Sequence, residues 1–384
     1  MKLSPFPDLT AFLRVLAKAL AIVFVANFLL LWSGFNPVRA VIMLNTWDIV
    51  GHGRARLVYP SDFANGQLPL EALFATHAIS VRPKPVDEYR VVLLGESGIA
   101  GWGLPDEDTL AEQLTARSIR FDGKRLIAYN LAYPQPSVAR DVLILDAALG
   151  YDPNLVIWFV TPAALNNAEE VIGANRVFFD LNHLRLERLI AEYPTLLHAW
   201  YEGHRAGLFT PQPSWQRLIA LRDQDLLPIW ANALFYPFIP PDLAQSDRRL
   251  GGEPVPAEAR YTNDSPGFER MPNETWNFLR VGCLRAQVEG VTLLLVNEPM
   301  LIGIGGHSDV NYNAHYQRAL YDRYRDALNV FAVHHDLWYV DLWNIIPAAR
   351  YTDTPLHADA EGYAILAAAL ERTLSEDRQG TRCD

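Results

Sequence analysis

Val91-Val92-Leu93-Leu94-Gly95-Glu96-Ser97-Gly98-Ile99-Ala100-Gly101-Trp102-Gly103 is an apolar run that stops abruptly at Gly-Glu-Ser-Gly. Four apolar residues without polar alternation read as a parallel strand covered on both faces. The glycines permit a tight turn at its carboxyl end, where open α/β sheets place their ligands. A serine in that turn either points its hydroxyl into the crevice or merely caps the following helix.

Working outward, strands are expected at residues 89–94, 125–131, 155–160, 291–296 and 338–343. Helical spacing falls at about 106–118, 138–149, 274–289, 313–334 and 364–374. Buried strands separated by helices of this length are repeated βαβ units, hence a parallel sheet with helices on both faces. The stretch 168–275 breaks this pattern. It is rich in Trp, Tyr and Pro, with helical pieces near 184–201 and 215–234 and the aromatic run Phe235-Tyr236-Pro237-Phe238-Ile239-Pro240-Pro241. That run suits a lid or a patch meeting lipid or a partner, unless the whole is a helical insertion packed on the domain. The triplet Asn273-Glu274-Thr275 is too common a pattern to carry weight.

The chain has 384 residues and a formal net charge of −11, with no basic cluster, which excludes a nucleic-acid surface. Cys283 and Cys383 are too few for a disulfide framework and begin no metal spacing. Cys283, among apolar and basic residues of a helix, reads as an inert core thiol, so the compartment is not legible from cysteine usage. The N-terminus says more. Phe12 to Trp32 reads FLRVLAKALAIVFVANFLLLW, and Lys18 can snorkel to lengthen the apolar span toward the ~20 residues a bilayer needs. Lys2, Arg14 and Lys18 favour a cytoplasmic N-terminus. A single-pass anchor with the body outside is preferred to a cleaved signal peptide, since Val38-Arg39-Ala40 is a poor cleavage site, and to a buried soluble helix.

Acyl transfer needs a nucleophile, a base, a group orienting that base and donors for the oxyanion. Ser97 after the first strand and His357 after the fifth would both lie at the sheet's carboxyl edge, with Asp353 close enough to hold the imidazole's tautomer. Gly95-Glu96-Ser97 resembles the first block of the SGNH/GDSL hydrolases, with Glu96 where many members have Asp. Thr352-Asp353-Thr354-Pro355-Leu356-His357, followed by Ala360-Glu361-Gly362-Tyr363, resembles their last block. The resemblance covers roughly 88–375, leaving the insertion unmatched.

It implies a flavodoxin-like three-layer α/β/α sandwich with a five-stranded parallel sheet and a serine esterase or acyltransferase mechanism. Three departures stand out. Asp353 lies four residues before His357 instead of three, with Thr354 in the usual place. In the second block Ala132 or Gln135 replaces the glycine whose N–H faces the oxyanion. In the third, Asn166, with Asn167 next, comes several residues late.

The expected organisation is a cytoplasmic stub and anchor at 1–36, a connector at 37–86, an SGNH-like domain at 87–376 with a mainly helical insertion at about 168–275, and a tail at 377–384. The expected chemistry is nucleophile Ser97, base His357 and orienting Asp353, with the Ser97 and Ala132 N–H groups and the Asn166 side chain as oxyanion hole. No metal or cofactor is called for. The glycine-rich Gly303–Asp309 loop lacks a phosphate loop's ending, and His307 and Asp309 suit an exposed loop better than a pocket wall. Glu298 lies near the crevice edge without an assigned role. The implied substrate is an acylated, acetylated for preference, small molecule or cell-envelope glycan, handled beside a membrane-bound acyltransferase. The competing reading is a non-catalytic envelope protein that binds a partner or glycan.

Overall fold

The computed structural model describes residues 9–32, 53–57, 70–75, 77–81, 83–121, 123–166, 175–208, 248–271, 273–376 and 383. Strands β1 (Glu88–Leu94), β2 (Arg120–Phe121), β3 (Lys124–Asn130), β4 (Leu155–Val160), β5 (Thr292–Asn297) and β6 (Trp338–Asp341) form one sheet in the order β2-β3-β1-β4-β5-β6. All pairings are parallel except β2 with β3. Among the described residues the sheet is therefore six-stranded and mixed, where five parallel strands were expected. The extra strand is two residues long and folds back on β3 through a turn with Gly123 at φ 78. Two residues leave no readable period. The other five strands follow the doubly wound order, whose switch point falls between β1 and β4.

The helices of the described residues include α1 (Leu9–Trp32), α2 (Ser97–Ala100), α3 (Leu110–Ala116), α4 (Val138–Leu149), α5 (His183–Glu192), α6 (Pro194–Leu208), α7 (Trp276–Val288), α8 (Arg318–His334) and α9 (Ala360–Glu376), beside short ones at Leu70–Ala75, Ala78–Val81 and Arg176–Leu181. Strand side chains alternate between two cores, as the pleat requires. Val92, Leu94, Val156, Trp158, Leu293 and Leu295 pack with residues of α4, α7 and α8. Val91, Leu93, Leu155, Ile157, Leu294 and Val296 pack with residues of α3 and α9. This accounts for the unbroken apolar runs, since each face of the sheet needs its own set.

The insertion is helical over its described residues 175–208, where Trp200 of α6 meets Phe278 of α7 edge-on at 4.7 Å. Asp146 of α4, its side chain wholly buried, receives Arg185 and Arg188 from the insertion and Arg285 from α7. An unpaired buried carboxylate would be strongly destabilising, so this cluster ties the insertion to the domain. The stretch from 248 to 271 is largely irregular. The helix expected at 215–234 and the aromatic run from Phe235 lie outside the described residues.

The expected anchor is a helix over Leu9–Trp32. Among the described residues, however, no helix is long and apolar enough to cross a membrane. Its described side chains, residues 12–22 and 25, include Arg14 and Lys18, which interrupt the apolar stretch.

Cys283 is buried as expected, but it is not a free thiol. It forms a disulfide with Cys383, Cα–Cα 5.9 Å, across a sequence separation of 100. Spacing alone could not show that the end of the chain returns to α7. Closing so long a loop is worth about 4–5 kcal/mol in the chain-entropy account. Reductant should lower the thermal unfolding midpoint of the wild type clearly. Cys283→Ala should start from the lower midpoint and not respond, which differential scanning calorimetry with and without reductant would check.

Candidate active site

The turn after β1 is shaped by what cannot fit there. Gly95 has φ +156, and a Cβ on it would come within 2.9 Å of Ile99 Cγ1. Ser97 then opens α2, so its N–H has no carbonyl four residues back within the helix. Asn130, at the end of the neighbouring β3, holds α2 from below. Its Nδ2 donates to the carbonyls of Ile99 at 3.0 Å and Ala100 at 3.4 Å. Its own carbonyl is bound at 3.1 Å by Nε2 of His77, whose Nδ1 accepts from the Ile79 N–H. Burial depresses the His77 pKa to about 4, in keeping with a neutral ring that donates through Nε2.

The segment Tyr351 to Ala358 closes on itself through an antiparallel bridge and carries the expected orienter and base. Thr354, which occupies the place usual for the aspartate, uses its Oγ1 to accept from the N–H groups of Leu356 and His357. The Thr352 N–H donates to the His357 carbonyl at 2.9 Å, and its hydroxyl donates to Asp353 Oδ1 at 3.0 Å. The extra residue between Asp353 and His357 is absorbed in this turn. His357 Nδ1 lies 3.0 Å from Asp353 Oδ1, and His357 Nε2 lies 2.9 Å from Ser97 Oγ. With the carboxylate as acceptor, the Nδ1 carries the proton and the Nε2 accepts from the serine hydroxyl. The hydrogen bond from His357 is the main cause that lowers the Asp353 pKa to about 2, with burial opposing it.

The structure thus brings Ser97, His357 and Asp353 into one relay. Ser97 is half-buried and His357 buried. Two expected oxyanion donors fare differently. The Ala132 N–H donates to Asn130 Oδ1 at 3.2 Å and is occupied within its own chain. Asn166 is buried at the end of the 3₁₀ turn Ala163–Leu165, past β4 and on the switch-point side of the crevice. Gln135, the other second-block candidate, has φ 86, a strained value for a non-glycine residue. The wholly buried Arg140 grips the carbonyls of Pro134 and Gln135 and pairs with Asp141. His307 and Asp309 are exposed on their loop.

Sequence reading missed the braces around the relay. Asn130, Thr354 and Arg140 carry no motif signal, because each acts through backbone groups. Tyr363, in the last block, donates its hydroxyl to the Gly98 carbonyl. Glu96, in the first, is buried and accepts from the Thr161 hydroxyl. Burial raises its pKa, against the pull of Thr161 and Arg140. Among the described residues, no cluster of His, Cys, Asp and Glu has the arrangement of a metal site.

No family model matches the sequence, and no curated protein matches it. Solved structures do resemble the fold. A carbohydrate acetylesterase from Sinorhizobium meliloti is 12% identical with a TM-score of 0.38, covering 74% of this chain and 98% of that one. A GDSL-like lipase from Bacteroides thetaiotaomicron is 10% identical with a TM-score of 0.37, covering 78% and 94%. A variant of an acetyl-xylooligosaccharide esterase from a Geobacillus is 13% identical with a TM-score of 0.36, covering 77% and 97%.

Proposed function

We propose that the protein is a serine ester hydrolase or acyltransferase acting through Ser97, His357 and Asp353. The observation that carries this reading is the relay itself, in which a 2.9 Å hydrogen bond joins His357 to Ser97, 260 residues away, and a 3.0 Å bond joins it to Asp353. His357 takes the Ser97 proton as Oγ attacks the ester carbonyl carbon, and the C–O bond to the leaving alcohol breaks as His357 returns that proton to it. Water or an acceptor hydroxyl then attacks the acyl-serine carbonyl carbon and gives its proton to His357, and the bond to Ser97 Oγ breaks as His357 returns that proton to Oγ, with Asp353 fixing the tautomer throughout. The oxyanion would be met by the Ser97 N–H and the Asn166 side chain. With the Ala132 N–H engaged elsewhere, this hole is poorer than the expected one, which suits a slow or specialised enzyme.

The finer reading is an acetyl or similarly small acyl group carried on a cell-envelope glycan, with a membrane-bound acyltransferase as companion. Two features support an extracytoplasmic position at a membrane. Helix α1 is 24 residues long, with Phe12, Val15, Leu20 and Ile22 exposed around it and Arg14 and Lys18 toward its start. The Cys283–Cys383 bond suits an oxidising compartment.

A fluorophosphonate probe should label the wild type and leave Ser97→Ala unlabelled; an unlabelled wild type would return the protein to the class of binding proteins. Asp353→Asn should keep the fold and lower kcat by about 10³–10⁴-fold, because the wrong imidazole tautomer is then favoured. Release of free acetate from an acetylated glycan marks a hydrolase, and passage of the label to an added glycan marks a transferase. On fractionation, the full chain should pellet with membranes and shed that behaviour when residues 1–36 are deleted. A full chain found only in the soluble fraction would remove the membrane part of the reading.

A further inference from the structure

Glu298 is a buried acid near the relay for which the mechanism has no use. It follows β5 directly, and its N–H donates to the Val160 carbonyl at 3.1 Å, fixing it at the rim between β4 and β5. Its residue is 2% exposed, and neither carboxyl oxygen has a hydrogen-bond partner among the described residues. What the carboxyl touches is informative. A Cβ placed on Gly98 would fall 2.3 Å from Glu298 Oε1 and 2.8 Å from the Leu356 carbonyl oxygen. Gly98 follows the nucleophile, and Leu356 precedes the base. The Glu298 head therefore sits where the two halves of the relay meet behind their reacting atoms.

We propose that Glu298 is a positioning residue, acting in its protonated form as a prop between Gly98 and Leu356 that sets the Ser97–His357 separation. The proposal rests on the esterase reading above. The surroundings decide which form the prop takes. Glu96 faces it from the β1 turn and Asp141 from α4, both acidic, and burial together with these two pushes its pKa well above the usual carboxylate range. Tyr351 faces it from the segment that carries His357 and Tyr363 from α9, and both remain neutral phenols with raised pKa values. Arg140, the nearby cation, is paired with Asp141 and acts electrostatically on Glu96. Glu96 has that cation and the Thr161 hydroxyl to stabilise its charge, whereas Glu298 has neither, so the proton resides on Glu298. Ionised, Glu298 would set a charge against the Leu356 carbonyl and Glu96, driving the Gly98 and Leu356 backbones apart and lengthening the Ser97–His357 hydrogen bond.

The test compares full-length wild type with Glu298→Gln, which keeps the prop but cannot ionise. The first readout is the thermal midpoint against pH. A carboxyl whose proton is held more tightly folded than unfolded loses stability as pH rises above its unfolded pKa of about 4.3, until the folded pKa is reached. The midpoint of Glu298→Gln minus that of the wild type should therefore widen as pH rises from about 5. A constant difference overturns the proposal whatever the enzyme does.

The second readout is the rate of Ser97 labelling by a fluorophosphonate. On the alkaline side, as Glu298 ionises, the wild type should slow about tenfold while Glu298→Gln stays within about twofold of its maximum. Identical alkaline profiles overturn the positioning role and leave the esterase reading standing; a wild type that never labels overturns both. Should the glutamine variant not fold, Glu298→Asp serves instead. Its shorter acid should still titrate in the stability profile yet label about tenfold more slowly, having withdrawn from Gly98; an unchanged rate would overturn the prop.

Discussion

The hydrogen bond between Ser97 Oγ and His357 Nε2 spans 2.9 Å and closes a loop of 260 residues. Such a bond contributes only about 1 kcal/mol net, far too little to hold two distant loops together. The sheet does that. β1 and β6 are three places apart in the strand order, and their carboxyl ends face the same rim because the strands between them are parallel. Each partner is then held locally by more contacts than it needs. Asn130 holds the carbonyls of α2, Tyr363 holds that of Gly98, and Thr354 with Thr352 closes the turn that bears His357. With both sides held, little reorganisation is left for the moment of reaction.

Buried acids of the domain are managed by different means, and the differences carry meaning. Asp146, in the later turns of α4, is met by three arginines, a structural solution. Asp141 has Arg140 and the Trp158 indole. Glu96 has a single hydroxyl donor, and Glu298 has no donor among the described residues. Compensation thus thins out as the relay is approached. In a medium of low polarity, proton occupancy replaces ion pairing as the way to keep a carboxyl neutral.

Much of the architecture was legible because it depends on patterns a chain cannot hide. The run 155–160 was read with the bounds the structure gives, since a central strand buried on both faces must be apolar throughout. Helix Val138–Leu149 was equally clear, with apolar residues at helical spacing. The Ser97, Asp353 and His357 grouping could be read because two short blocks mark it. The two-residue β2 could not, having no period, and neither could the pairing of Cys383 with Cys283, which depends on where the tail goes. Ala132 shows a subtler limit. Its position in the block was found, but whether its N–H was free depended on which way the Asn130 side chain turns.

The disulfide has a consequence for how the protein is made. Cys283 and Cys383 lie 100 residues apart, and between them run β5, α8, β6 and α9 together with Asp353 and His357. The bond can therefore form only once the part of the chain that carries the base and its orienter has been synthesised. Ser97 lies outside the covalent ring. In an oxidised but unfolded chain the base would stay tethered to α7, while the nucleophile would keep its full conformational freedom.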